Sequence, residues 1–187
     1  ICLKFIAGVF KVKKPNVPDA IGTVEVDWIN GAFLMVKKTA IDKAGLLDED
    51  FFLYAEEAEW CSRIKKVGKL CIYGDINVIH LQGETSAEAF GSSGKGYFNL
   101  FDKRGLQIMV SNFLRIRKQF GLIWFLIDLF VYSITIPVFL IALPFYAIKN
   151  NNRYHFAQWK GFAKNMGKLL LLSPKIIKND RYFYKML

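Results

Sequence analysis

The clearest hydrophobic pattern lies in the second half of the chain. Between Arg104 and Lys118, Leu106, Met109, Val110, Phe113, Leu114 and Ile116 recur among basic positions at the three-and-four spacing of a helix, which reads as an amphipathic element at a membrane interface. A second such pattern, from Tyr154 to Leu172, puts Trp159, Phe162, Met166 and Leu169 on one side and Lys160, Lys164 and Lys168 on another. Ser173-Pro174 is expected to end it, because the residue before a proline is pushed out of the helical region. Between the two, residues 120–148 carry one charge, Asp128. A run of about 20 apolar residues suffices to cross a bilayer as a helix. Pro137 divides this run and Pro144 follows, which predicts a bent or re-entrant hairpin. A single kinked crossing and a buried helical pair are the alternatives.

The first half is patterned in shorter pieces. Residues 39–44 read as a short helix, and residues 31–36, 70–73 and 78–80 as strands. A helix of about three turns is expected from Glu56, since carboxylates favour its partly positive first turn, with Gly68 as the stop. Glu59 and Arg63 are four apart in the supportive order, and Ala58, Cys61, Ile64 and Val67 form the face to bury. Residues 83–96, rich in Gly, Ser, Glu and Thr, read as a mobile loop, a flexible linker between the two halves.

Charge divides the chain at about the same place as the patterning. Residues 1–102 hold 12 Lys and Arg against 14 Asp and Glu, a net −2, while residues 103–187 hold 14 against 2, a net +12. That predicts two regions, 1–102 and a basic, helical, membrane-associated 103–187 containing the apolar segment 120–148. No helix-turn-helix, zinc-finger or RNA-recognition signature accompanies the basic charge, so a nucleic-acid partner is not expected. An anionic membrane surface fits it better. Cys2, Cys61 and Cys71 are odd in number and lack metal spacing, as free thiols in a reducing cytoplasm do.

The candidate chemistry is concentrated in residues 48–63, where Glu56, Glu57 and Glu59 crowd a helix start. By spacing alone the cluster is either a charged cap or a catalytic base. Read from the residues alone, His80 is a half-buried histidine closing a strand, Trp28 a core residue at a strand start, and Gly31 a bulge. Upstream stands Asp27-Trp28-Ile29-Asn30-Gly31-Ala32-Phe33, and downstream Val78-Ile79-His80. Read in that order, residues 26–86 closely resemble the acceptor-side half of family 2 glycosyltransferases, particularly the bacterial rhamnosyltransferase-like branch.

The resemblance implies an α/β fold, the acceptor-side half of a GT-A type glycosyltransferase, followed by an α-helical membrane-associated tail. It implies inverting transfer of a sugar, such as rhamnose, from a nucleotide-sugar donor to a lipid-linked or polysaccharide acceptor in cell-envelope glycan synthesis. Localisation would be the cytoplasmic face of the inner membrane. Glu57 inherits the position of the catalytic base, flanked by Glu56 and Glu59, although the family's Asp residues are here replaced by longer Glu. Asp27, Trp28, Gly31, Ala32 and Arg63 match substrate-binding positions. His80 matches a position that can face a divalent cation, Mg²⁺ or Mn²⁺, at the departing diphosphate. The nucleotide-binding strands and Asp-x-Asp of the family's first half have no counterpart before residue 26, so these residues alone are expected to be catalytically incomplete. The alternatives are a non-catalytic membrane-binding remnant and a subunit docking on a partner that carries the nucleotide site.

Overall fold

A computed structural model describes residues 20–79, 99–148, 155–181 and 184–186. Two short strands, β1 (Thr23–Val26) and β2 (Leu70–Tyr73), pair antiparallel with Thr23 opposite Tyr73 and Val26 opposite Leu70. β2 lies where its alternation places it, whereas β1 was not foreseen. The strand expected over residues 31–36 does not form. The Ala32 amide donates to Asn30 Oδ1 at 2.9 Å and turns the chain, and the stretch that follows half-buries Leu34 and Val36 against Trp60, Cys61, Ile64 and Leu70. Phe33 and Met35 face outward. The alternation is therefore real as burial without a hydrogen-bonded ladder. Residues 78 and 79 are irregular, and His80 and residues 83–96 lie outside the described residues.

Helix α1 (Lys38–Ala44) closes at Gly45, whose positive φ of 79° lets its N–H donate to Ile41 O at 2.7 Å. Helix α2 (Glu56–Ile64) begins at the expected residue and ends a turn early. Its buried face is Trp60, Cys61 and Ile64, with Val67 exposed, so the inward side is rotated from the expected one. The Trp60 indole N–H donates to Gly45 O at 2.8 Å, which draws that side toward α1. With Leu70 these three residues form a small core.

The remaining described elements are long helices: α3 (Lys103–Phe120), α4 (Leu122–Ile148) and α5 (Phe156–Lys178), packed mutually as a bundle. Asp102 starts α3 by accepting from the Gly105 amide at 2.8 Å. Rather than lying at an interface, α3 is the hub: residues 104–111, Phe113 and Leu114 are all buried. Helix α5 carries Phe162, Met166, Leu169 and Ile176 into the core and leaves Lys160, Lys164 and Lys168 exposed. It also runs through Pro174, against expectation. The burial of Ser173 and Ile176 holds its last turn, and the Arg117 guanidinium donates to Ile177 O at 2.9 and 3.1 Å.

Helix α4 is one uninterrupted helix, not a hairpin. Pro137 removes a single ladder bond, while the Trp159 indole N–H donates to Ile136 O at 2.9 Å and ties α4 to α5 just before the proline. From Leu122 to Phe145 it is long and apolar enough to span a membrane, with 6% of its most apolar stretch buried.

Candidate functional site

The acidic helix is launched by a strained turn. Tyr54 (φ 69°) and Ala55 (φ 67°) are consecutive non-glycine residues in the left-handed region, a conformation that costs about 1–3 kcal/mol each and persists only where surroundings hold it. The surroundings here belong to α3. Arg104 Nε donates to Tyr54 Oη at 2.8 Å, Ser111 Oγ donates to Leu53 O at 2.7 Å, and Lys118 Nζ pairs with both Asp48 and Asp50. Positions 104, 111 and 118 are two turns apart, so they form one stripe. Phe51 and Ala55 then enter the bundle core beside Val110 and Phe113.

Electrostatics hold the same turn. Burial alone would raise the Asp48 pKa, but the Lys118 hydrogen bond, the Asp50 amide and the charges of Lys118 and Arg63 outweigh it and keep the carboxyl below its ordinary value. Burial would lower Lys118, and its two carboxylate partners instead raise it. Sequence reasoning missed this docking stripe. Its signal was the seven-residue spacing of Arg104, Ser111 and Lys118 among apolar neighbours.

Once launched, α2 divides the candidate residues by face. Glu57, Cys61 and Lys65, each one turn apart, lie toward the segment after β1. Cys61 Sγ sits 3.8 Å from Ile29 O, Lys65 pairs with Asp27, and a methyl built on Gly31 would lie 3.4 Å from Glu57 Cβ and 3.8 Å from its carboxyl carbon. Gly31 thus brings the backbone of the segment after β1 close beside a half-buried Glu57. Trp28 and Ala32 are exposed on the same segment. Burial raises the Cys61 pKa, and the Glu57 charge adds to it. The thiol is therefore kept protonated.

Glu59 and Arg63 face elsewhere. Glu59 is 6% exposed, and its carboxylate takes three hydrogen bonds from Arg63 at 2.8–3.0 Å. Arg63 also donates to the carbonyls of Ala44 and Leu46, so the pair clamps the chain leaving α1. Glu56 is different again. Its Oε2 is buried without a hydrogen-bond partner among the described residues, and burial, with the neighbouring Glu57 charge, raises its pKa.

The structure therefore brings Glu57, Asp27 and Gly31 to one side of α2 and engages Glu59 and Arg63 with each other. No three His, Cys, Asp or Glu among the described residues form a group that could hold a metal, and Asp48 and Asp50 share the cation of Lys118. The expected ligand His80 lies outside the described residues.

Comparison with known proteins gives one short relationship. Over 48 residues the chain is 35% identical to the N-acetylglucosaminyl-diphospho-decaprenol L-rhamnosyltransferase of Mycobacterium tuberculosis, in two strains. The match takes in 26% of this chain and spans 16% of the relative's length. No family model matches, and no solved structure matches.

Proposed function

We propose that this chain is the acceptor-side part of a membrane-associated, inverting glycosyltransferase of the GT-A type, with Glu57 as the general base. The acceptor hydroxyl oxygen forms the new bond to the anomeric carbon of the donor sugar. The bond from that carbon to the nucleoside diphosphate breaks, the diphosphate leaves with the electron pair, and Glu57 takes the hydroxyl proton. The observation that carries the reading is the close approach of the Gly31 backbone to Glu57, which we read as the place where a substrate meets one carboxylate of the cluster. Glu59 is engaged by Arg63, and one oxygen of Glu56 is buried.

The short likeness to a rhamnosyltransferase supports the class, and we extend it to a nucleotide-activated rhamnose as donor and a polyprenyl-diphosphate-linked sugar as acceptor. The apolar α4 and the net +12 of residues 103–187 support a site at the cytoplasmic membrane face, where such acceptors reside. The Mg²⁺ or Mn²⁺ expected at the diphosphate, with His80 as a ligand, finds no set of ligands among the described residues, and the step is written without it.

The test is sugar transfer by the whole protein in membranes from a panel of nucleotide sugars, beside its Glu57→Gln variant. We expect one donor to be turned over and the variant to be slower by about 100-fold or more. Near-normal turnover in the variant would remove Glu57 from the role. No turnover of any donor would favour a non-catalytic, membrane-binding protein.

A further inference from the structure

Length and composition let α4 cross a membrane, but its packing argues against it. One stripe of the helix, Phe125, Leu129, Tyr132, Ile136 and Phe139, faces the bundle at heptad spacing. The hydrocarbon core takes in about 20 helical residues, so any crossing within Leu122–Phe145 would place residues 126–141 inside it. Their neighbours would go with them. Trp159 is hydrogen-bonded to Ile136, and Tyr132 and Phe162 lie 6.3 Å apart between ring centroids, so the exposed Lys160 and Lys164 would enter the hydrocarbon. Phe139 packs 6.2 Å from Phe101, in an irregular segment whose Leu100 and Asp102 carbonyls accept from Asn165 Nδ2 at 3.0 and 2.8 Å. Lysines and non-helical backbone at that depth are strongly disfavoured.

The opposite side of α4 has the character a single leaflet would accept. Ile123, Ile127, Phe130, Ile134, Ile141 and Phe145 repeat at heptad-related intervals and are 41–73% exposed. With their apolar neighbours they cover an arc of about 140° along the stretch Leu122–Phe145, about 36 Å long. Asp128, the one charge, lies off this arc and is half-buried. On α5, Lys160, Lys164, Lys168, Lys175 and Lys178 are all exposed within an arc of about 80°. Lysines of this kind rest their stems on apolar surface and place their charges among headgroups.

We propose that α4 lies in the plane of an anionic phospholipid leaflet, with its exposed apolar face among the acyl chains and the basic charge of the bundle at the headgroups. The inference rests on the membrane part of the proposed function and on none of its chemistry. Both ends of α4 then remain on one side of the membrane.

The experiment uses the full chain with Cys2 and Cys71 replaced by Ser, the buried Cys61 left in place, and single cysteines at 123, 130, 141 and 145 carrying a spin label. Depth is read by relaxation agents on vesicles of phosphatidylglycerol and phosphatidylcholine, with circular dichroism confirming the fold. All four labels are expected at one shallow depth, about 5–10 Å below the headgroups. Binding is expected to fall at least tenfold on pure phosphatidylcholine and on Phe130→Asp. Depths that deepen to the bilayer centre and rise toward its far side would overturn the in-plane arrangement while keeping membrane association. Equal binding to phosphatidylcholine would overturn the anionic choice. A folded protein that binds no vesicles would overturn both the arrangement and the membrane reading, whereas loss of sugar transfer alone would leave both standing.

Discussion

The unit of β1, β2, α1 and α2 and the bundle of α3, α4 and α5 differ most in what holds them together. Among the described residues the first has four buried at its centre, Trp60, Cys61, Ile64 and Leu70, and fixes its loops with side-chain hydrogen bonds such as Arg63 to Ala44 and Leu46. The second has a continuous core from Leu106 through Phe113 and Phe162 to Ile176. The described residues of this unit thus form a far smaller core than those of the bundle. The turn before α2 escapes that weakness because Phe51 and Ala55 belong to the bundle's core. The lesson is that the carboxylates are displayed by one region and positioned by the other.

The largest expected effect breaks the stronger region. Phe113 meets Phe125 and Tyr132 edge-on, with centroids 5.7 and 5.1 Å away, and Phe113→Ala should cost about 3–5 kcal/mol in chemical denaturation. If the first unit depends on the bundle, Cys61 becomes reactive to thiol reagents at the denaturant concentration where helicity is lost. A Cys61 still protected beyond that point would show the unit standing alone.

A smaller effect cuts the link between the regions. Lys118→Met leaves Asp48 and Asp50 without their shared cation and should cost about 1–2 kcal/mol, discounted for their partial exposure. The sign of the pH dependence follows from both partners. Asp48 is depressed, so its contribution is present above the ordinary carboxyl range and is lost as pH falls through its lowered value. Lys118 is raised, so its contribution is complete below the ordinary lysine value and is lost as pH rises through its raised one. The difference between wild type and variant should therefore plateau at intermediate pH and shrink at both extremes.

The smallest effect has the opposite sign. The Glu56 pKa is raised, so the folded state holds this proton more tightly than the unfolded chain, and ionisation costs stability as pH rises above the ordinary carboxyl range. Glu56→Gln should stabilise the protein by up to about 1 kcal/mol at neutral pH, with the gain vanishing in acid. A variant less stable at pH 7 would mean that the carboxylate has a partner when ionised.

These contrasts also mark what was legible beforehand. The helical periods of α3 and α5, the start of α2 at Glu56 and the strand Leu70–Tyr73 are local patterns, and each appears close to where it was expected. The expected stops at Pro137 and Pro174 fail for a different reason. A proline deletes one helical hydrogen bond, and whether the helix continues depends on what packs around it. Here Trp159 bonds to Ile136, and Ser173 and Ile176 are buried beyond reach of any local rule.

The candidate site divides in the same way. That three carboxylates crowd one helix start, and that Glu59 can reach Arg63 a turn later, is a matter of spacing, which the chain carries in its order of residues. Which carboxylate the segment after β1 approaches is not. Gly31 lies against Glu57 because the segment after β1 folds back on α2, and the turn before Glu56 keeps its strained form because Arg104, Ser111 and Lys118 grip it from α3. Periodicity is written in neighbours three and four residues apart. The backbone beside Glu57 and the grip on the turn that launches the helix were decided by residues tens of positions away, through contacts that exist only once the chain has folded.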